Sequence, residues 1–327
     1  MIENFGPWDR SEDPMDHQNE VAIFVPYPLA AAAGNAVTAR RLKGQLEEGG
    51  WRVKLFGPDR SVNGGRVLVA LNAWRSAEVV QSFEGAVIVI LTGTDINAAE
   101  LADPTWVGRK VMERADSLVV LQNEALKRVP ESLQEKVTVI RPATVMPEEL
   151  RDLSGHGEVL EVVLAGRDRV EKRADIVLEA CRSLPEGAGI RVRWFGAERE
   201  DPPPGFQWMG EVQQEKLWQE MAEADLFLNA SSQEGGANAV VEAMALGLPV
   251  LASRIGGNIG LLGEDYPGYF SEGSVEELQE KLLLLRDERV RRKLKDSVRN
   301  SRRLFDAERE GREWRALLAR VLGEVVP

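Results

Sequence analysis

Short apolar runs alternate along this chain with segments whose apolar residues recur at helical spacing, which predicts strands separated by helices. In the first half, the predicted strands lie at residues 21–26, 51–56, 67–71 and 86–91. The predicted helices lie at residues 35–48 and 73–81, and shorter strand and helix segments follow at 105–115, 117–121, 123–129 and 137–140. This alternation is typical of βαβ units, whose strands form a parallel sheet.

The periodicity lapses between Arg141 and Glu158, where prolines and glycines predict a linker. A second alternating series follows, with segments at 159–165, 171–184, 190–196, 213–223 and 225–229. The capping-box spacing of Ser274 and Glu277 predicts the start of a further helix. The last helix is predicted from about Asp306, with an apolar face made of Trp314, Leu317, Leu318, Val321 and Leu322.

We therefore predict an α/β chain of two Rossmann-like domains that face a central cleft, with ligands at the carboxyl ends of the strands. The expected order is a polar tail, a first domain, a linker, a second domain and a C-terminal helix that packs back on the first domain. These segments are predicted at residues 1–19, 20–143, 144–157, 158–303 and 304–327.

Composition narrows the function classes. A length of 327 residues allows two cores, and a formal net charge of −12 argues against nucleic acid or an anionic membrane as the main partner. No apolar run approaches the roughly 20 residues of a membrane span, and the N-terminus has no signal-peptide pattern, so we expect a cytoplasmic protein. A single cysteine, Cys181, excludes an intrachain disulfide and is expected to be a packed thiol.

The sequence also lacks the usual residues of metal and histidine chemistry. His17 and His156, the two histidines, fall in the predicted tail and linker, where neither is well placed as a general base. No Cys/His cluster indicates zinc, and no Asp-x-Asp motif of metal-dependent transferases is present. We expect neither a metal nor a bound cofactor.

The strongest functional signal lies between Leu226 and Ser253. A predicted strand, a loop with Glu234, and a helix over about 237–246 follow one another. That helix is apolar on nearly every face except at Glu242, whose buried carboxylate needs hydrogen-bond donors. The vicinal hydroxyls of a sugar can supply them, and so can an arginine of the core. A phosphate can be met by the glycines and first helical amides, at Gly235, Gly236, Ala237 and Asn238.

Other loops after predicted strands carry candidate ligand-binding groups. Small residues at 30–34, ending in Gly34 and followed by Asn35, allow a diphosphate to approach the N-terminus of the helix predicted at 35–48, although G-x-G-x-x-G is absent. After the strand at 159–165, Arg167 and Lys172 can neutralise a leaving diphosphate. The glycine-rich segment 254–263 can cover a nucleotide and hold Asn258 near its sugar; the alternative is a flexible connector.

Two loops of the first half are candidates for the acceptor. Arg75 follows the strand at 67–71 and is a candidate clamp for an anion, with Asn72 beside it. Thr94 and Asp95 follow the strand at 86–91 and can position the acceptor or the sugar. A surface salt bridge or a turn remains the alternative for each of these residues.

The pair Glu234 and Glu242, separated by seven residues across a loop–helix junction, resembles the donor-site motif of GT-B glycosyltransferases. The resemblance implies that Glu234 and the amides after it meet the sugar, while Glu242 takes the ribose hydroxyls of the nucleotide. Arg167 and Lys172 also resemble residues of that donor site. The expected catalytic set is therefore Arg167, Lys172, Glu234 and Asp95.

A narrower likeness concerns the segments at 70–77, 91–95, 234–243 and 253–270, which are similar to selenosugar synthases of selenoneine biosynthesis. The residue after Asn35, and Arg167 itself, depart from that group. The resemblance implies that selenophosphate attacks the anomeric carbon of a UDP-sugar, either UDP-N-acetylglucosamine or UDP-glucose. It further implies a 1-selenosugar product and partner enzymes of the same pathway. Selenophosphate is already anionic and nucleophilic, so it fits a chain without a histidine base.

Three other functions stay open. The chain can be a GT-B glycosyltransferase with a hydroxyl acceptor, which needs a protein base or help from the donor phosphate. A nucleotide-sugar epimerase or hydrolase needs several acid or base groups. A non-catalytic nucleotide-sugar binding protein predicts binding without turnover.

Overall fold

The computed structural model describes residues 19–29, 34–151, 153 and 157–324. The chain divides into two compact units, with crossings between Pro142 and Ala143 and between Asp306 and Ala307. His17, His156 and most of the predicted tail lie outside the described residues, as do residues 30–33 of the small-residue loop.

The first unit is a parallel sheet flanked by helices. Its strands are β1 (Glu20–Phe24), β2 (Arg52–Phe56), β3 (Val67–Leu71), β4 (Ala86–Leu91), β5 (Ser117–Val120) and β6 (Val137–Val139). Its helices are α1 (Gly34–Glu48), α2 (Ala77–Ser82), α3 (Val107–Arg114), α4 (Asn123–Leu126) and the last helix of the chain, α11 (Ala307–Leu322). The strand order is β2-β1-β3-β4-β5-β6. Strands β1, β3, β4 and β5 are buried along most of their length, because helices cover both faces of the sheet.

The second unit repeats the plan with another strand order. Its strands are β7 (Leu160–Ala165), β8 (Ile190–Phe195), β9 (Phe206–Trp208), β10 (Leu226–Asn229), β11 (Val250–Ser253) and β12 (Tyr269–Phe270). Its helices are α5 (Ala174–Arg182), α6 (Gln214–Ala222), α7 (Asn238–Leu246), α8 (Gly256–Leu262), α9 (Val275–Leu284) and α10 (Glu288–Ser301). The order is β12-β11-β10-β7-β8-β9, with all pairings parallel.

The C-terminal helix α11 packs in the first unit, against α1. Trp314, Leu317 and Leu318 are buried in the core that α1 shares with the sheet. Glu310, 3% exposed, accepts hydrogen bonds from Arg41 at 3.0 Å and from Gln45 at 2.8 Å. Helices α1 and α11 are therefore joined both by the apolar face predicted from the sequence and by buried hydrogen bonds.

Three local predictions differ from the structure. The helix predicted at 73–81 begins only at Ala77, because Asn72 takes a positive φ of 73° and residues after it form a turn. The helix predicted at 171–184 is broken at Arg173, whose φ is 54°. In the predicted capping box, the Ser274 hydroxyl accepts from the Glu277 amide, but the Glu277 carboxylate accepts from the Ser271 amide.

Candidate functional site

The second unit has a topological switch point between β7 and β10. The chain leaves β7 toward β8 and β9 on one side, and leaves β10 toward β11 and β12 on the other. The loops after β7 and β10 therefore diverge at the carboxyl ends of neighbouring strands, where α/β sheets bind ligands. Lys172 lies after β7 and Glu234 after β10.

A salt bridge joins these two loops. Lys172 Nζ lies 2.6 Å from Glu234 Oε1, and the side chains are 17% and 12% exposed. The Ser231 hydroxyl donates to the same Glu234 oxygen at 2.8 Å, and the Ser232 amide donates to the Glu171 carbonyl at 2.8 Å. Two residues predicted separately thus form one ionic pair.

The pair keeps Glu234 ionised. Burial by itself raises the pKa of this carboxyl, but the charge and hydrogen bond of Lys172, the Ser231 hydroxyl and the charge of Arg169 together hold that pKa below its ordinary value. Glu234 is therefore an acceptor of hydrogen bonds at neutral pH and not a proton donor. Because Lys172 already pairs with Glu234, an incoming anion has to compete with the Glu234 carboxylate for the lysine ammonium group.

Two glycines allow the close approach on which this arrangement depends. A Cβ on Gly166 would lie 3.2 Å from Lys172 Cε, and its φ of +132° disfavours any other residue. A Cβ on Gly257, in α8, would lie 2.5 Å from the Glu234 carbonyl oxygen. The loop that carries Glu234 is thus packed directly against α8.

Arg167 stands apart from the Lys172–Glu234 pair. Its guanidinium pairs with Glu211 at 3.4 Å, with side chains 45% and 59% exposed. Such an exposed pair stabilises a fold by only about 0–1 kcal/mol. Arg167 is therefore held loosely, at the edge of the site, and can change partner at little cost.

The start of α7 has the features of an anion-binding helix end. Gly235 and Gly236 lead to Ala237, whose side chain offers no cap to the first turn, and the helix begins at Asn238. A helix N-terminus carries a partial positive charge and directs amides outward. Gly247, with a φ of 75°, closes the helix as predicted.

Glu242 is buried within α7, at 6% exposure. The Gln214 side-chain amide, at the start of α6, donates to Glu242 Oε1 at 2.9 Å. The sequence predicted a buried carboxylate that requires donors but missed this one. Gln214 belongs to no motif in the sequence, so its contact with Glu242 is visible only in the tertiary structure.

Asn258 lies within a helix of the glycine-rich segment. Residues 256–262 form helix α8 and not a flexible connector, and Asn258 is fully buried in it. Its amide donates to the Ser253 carbonyl at 2.9 Å, and its carbonyl oxygen accepts from Asn229 at 3.2 Å. Asn258 therefore joins the ends of β10 and β11, and its place near the sugar stays a prediction.

The first unit has its own switch point, between β1 and β3, because β2 lies on one side and β4 to β6 on the other. Asn72, directly after β3, is 1% exposed and donates to the Thr92 and Thr94 hydroxyls, each at 3.1 Å. Its side-chain oxygen Oδ1 accepts a hydrogen bond from the backbone amide of Arg75 at 3.1 Å. Asn72 thus links the loops after β3 and β4, and the half-buried Thr94 is the member of this group nearer to solvent.

Asp95 is fully buried. Its carboxylate accepts from the Ala73 amide at 2.9 Å, the Ile96 amide at 3.0 Å and the Thr92 hydroxyl at 3.1 Å. Burial raises its pKa, and these hydrogen bonds oppose that shift. The Asp95 carboxylate thus joins the loops after β3 and β4, and its predicted role toward the acceptor or the sugar stays a prediction.

Arg75 is exposed and stacks on aromatic rings. Its guanidinium carbon lies 4.0 Å from the centroid of Trp74 and 5.3 Å from that of Tyr27, a residue of the loop after β1. Within the described ranges, no carboxylate pairs with it, which excludes the alternative of a salt bridge to Glu78 or Glu84 there. Stacking orients the plane of the guanidinium and leaves its N–H groups for a ligand.

The other predicted residues of the first unit lie at the start of α1. Gly34 is exposed and Asn35 is half-buried. In the part of the chain that the structure describes, no group of three or more His, Cys, Asp or Glu side chains is arranged to hold a metal. No helix among the described residues is long and apolar enough to cross a membrane.

Residues 148–302 match the family of glycosyl transferases group 1. A curated relative is the Arabidopsis thaliana protein "Sulfoquinovosyl transferase SQD2", which is 32% identical over 185 residues. That match covers 54% of this chain and 35% of the relative, so the chain spans about a third of the relative's length.

Solved structures share the architecture. "Sucrose-phosphate synthase (tll1590)" from Thermosynechococcus elongatus aligns with a TM-score of 0.77 at 17% identity, covering 94% of this chain and 100% of that one. Anabaena Alr3699/HepE, solved in complex with UDP and glucose, aligns with a TM-score of 0.70 at 16% identity, covering 92% and 99%. At these identities the likeness establishes the fold.

Proposed function

We propose that this chain, which has the GT-B fold and whose residues 148–302 match the family of glycosyl transferases group 1, is a glycosyltransferase that transfers a sugar from a UDP-sugar to an anionic acceptor. The observation that carries the proposal is the Lys172–Glu234 pair beside the start of α7, at the switch point of the second unit. The solved complex of Anabaena Alr3699/HepE with UDP and glucose supports the choice of donor.

In this proposal each donor-site group has a separate task. The start of α7, with Lys172 and Arg167, neutralises the diphosphate as the bond to the sugar breaks. Glu234 accepts hydrogen bonds from the sugar, which suits a carboxyl that stays ionised. The Glu242 carboxylate accepts hydrogen bonds from the ribose hydroxyls. Because Lys172 and Arg167 both have acidic partners, donor binding exchanges protein ion pairs for pairs with phosphate.

For the acceptor we propose selenophosphate. Arg75 presents its guanidinium from a stacked position, and a multiply charged anion of this size suits such a cation. The likeness of the segments 70–77, 91–95 and 253–270 to selenosugar synthases supports the same choice.

The proposed reaction needs no protein base. A selenium lone pair of selenophosphate forms a bond to C1 of the sugar, while the C1–O bond breaks and its electron pair leaves with UDP. Water then cleaves the Se–P bond and gives phosphate and the 1-selenosugar. The described residues offer no histidine near the site, so a nucleophile that needs no deprotonation fits the chemistry.

Mass spectrometry of products tests the donor and the acceptor together. The protein is incubated with UDP-N-acetylglucosamine or UDP-glucose, with and without selenophosphate, and also with orthophosphate as a matched anion. We expect UDP and a selenosugar only when selenophosphate is present. UDP release without selenophosphate would indicate a hydrolase, and binding without turnover of any mixture would indicate a binding protein. Sugar transfer only to hydroxyl compounds would show that selenophosphate is not the acceptor.

A further inference from the structure

The Gln214 side chain makes a contact that no sequence motif indicates. Its Nε2 lies 2.9 Å from Glu242 Oε1, and the two residues belong to different helices, α6 and α7. Glu242 is 6% exposed in a helix that is otherwise apolar in its buried positions. The contact is thus a polar link between the partly exposed start of α6 and the buried helix α7.

The neutrality of Gln214 determines what this link does. An arginine or lysine at this position would pair with Glu242 and cancel its charge. An amide instead donates one hydrogen bond to Oε1 without bringing a positive charge to the carboxylate. The amide also restricts rotation of the carboxylate, since it fixes the direction of one oxygen.

The elements around Gln214 hold it in place. The loop before α6 is tied back by the Gly210 amide, which donates to the Ala197 carbonyl at 3.1 Å, and the Gly196 amide donates to the Gly210 carbonyl at 2.7 Å. At the other end of α6, Met221 and Ala222 are buried. Gln214 is therefore presented to Glu242 from a helix fixed at both ends.

We propose that Gln214 is a positioning residue for the nucleotide: it orients the Glu242 carboxylate toward the ribose hydroxyls of the UDP-sugar. The inference rests on the proposed function of Glu242. It assigns to Gln214 a binding role that acts through Glu242 and not through contact with the ligand.

Calorimetric titration of UDP into the full chain tests this role. Gln214→Met keeps the length of the side chain but removes its amide, and we expect UDP affinity to fall about tenfold, or about 1.4 kcal/mol. In the Glu242→Ala background, Gln214→Met should cause no further loss, because its partner is absent. Gln219→Met is the matched control, since Gln219 is exposed on the same helix, and its UDP affinity should equal that of the unmodified protein.

Steady-state kinetics give the second readout. For Gln214→Met, the KM for UDP-sugar should rise about tenfold while kcat stays within about twofold, since ribose binding is equal in the ground and transition states. If Gln214→Met does not fold, Gln214→Asn is titrated instead. Its side chain is one methylene shorter and does not reach Glu242 Oε1, so UDP affinity should again fall about tenfold.

The outcomes separate the inference from the proposed function. Normal UDP affinity in Gln214→Met together with weak affinity in Glu242→Ala would overturn only the role of Gln214. A further tenfold loss in the double variant would also overturn it, because Gln214 would then act independently of Glu242. Failure of the unmodified protein to bind UDP would overturn both.

Discussion

Glutamine in place of Glu234 should separate two ligands that share a nucleotide. The change Glu234→Gln removes the negative charge that faces Lys172 at 2.6 Å and keeps the length of the side chain. Lys172 is then left to pair with the diphosphate alone. The intact UDP-sugar, in contrast, loses an ionised acceptor for its sugar hydroxyls.

The size of the effect follows from the burial of the pair. Two unit charges 4 Å apart interact by about 4 kcal/mol near a protein surface and by about 1 kcal/mol in water. The Lys172–Glu234 pair is closer, at 2.6 Å, and mostly buried, so the same expression gives an attraction of about 6 kcal/mol at the dielectric constant of a surface pair. Desolvation of both charges offsets most of this attraction, so we expect UDP affinity to stay unchanged or to rise by up to about tenfold. The affinity for UDP-sugar should fall at least about tenfold more than the affinity for UDP, because only the UDP-sugar loses a hydrogen bond to a charged group.

Calorimetry with UDP and with UDP-sugar measures both effects in the same variant. Lys172→Met is the companion change and should weaken both ligands by about tenfold, because the cation itself is lost. Glu211→Gln, which removes the acidic partner of the exposed Arg167, is the matched control and should change neither affinity by more than about threefold. Equal losses of UDP and UDP-sugar affinity in Glu234→Gln would refute the reasoning, because Glu234 would then bind the nucleotide and not the sugar.

Other predictions concern the remaining residues of the two units. Glu242→Ala should weaken UDP binding by about 2–4 kcal/mol in calorimetry, since two hydrogen bonds to a charged acceptor are lost, and an unchanged affinity with an intact fold would exclude the ribose role. Arg75→Ala should raise the KM for selenophosphate about tenfold or more and spare that for UDP-sugar, with Arg75→Lys recovering only part; an unaltered selenophosphate dependence would move the acceptor site elsewhere. Asp95→Ala should lower the free energy of unfolding by about 2–4 kcal/mol in urea titration, because buried amides lose their acceptor, and a stability like that of the unmodified protein would contradict a positioning role. Because the folded pKa of Glu234 is lowered, its ionic pair stabilises the fold above the ordinary glutamate pKa and is lost as pH falls through the folded pKa. Thermal unfolding of the unmodified protein should therefore lose more stability on acidification than that of Glu234→Gln, and parallel curves would oppose this sign.

Candidate residues that the sequence located by strand ends divide into two groups in the structure. Lys172, Glu234 and Arg75 keep at least part of their side chains exposed at switch points. Asn72, Asp95 and Asn258 are enclosed and join neighbouring loops. A polar residue after a strand suits both tasks, and sequence spacing does not distinguish them, because burial depends on the loops that pack over it.

The local pattern of the sequence determined the parallel α/β architecture, the buried strands, and the helix that carries Glu242 and ends at Gly247. These features depend on neighbours within a few residues, where hydrophobic periodicity and glycine conformation act. The tertiary structure alone decided the pairing of Lys172 with Glu234 and of Gln214 with Glu242. Those partners lie far apart in the chain and meet only because strand order brings the loops after β7 and β10 together and packs α6 against α7. Strand order, and with it the identity of each partner, is set by how whole elements bury their apolar faces against one another, which no short stretch of sequence specifies.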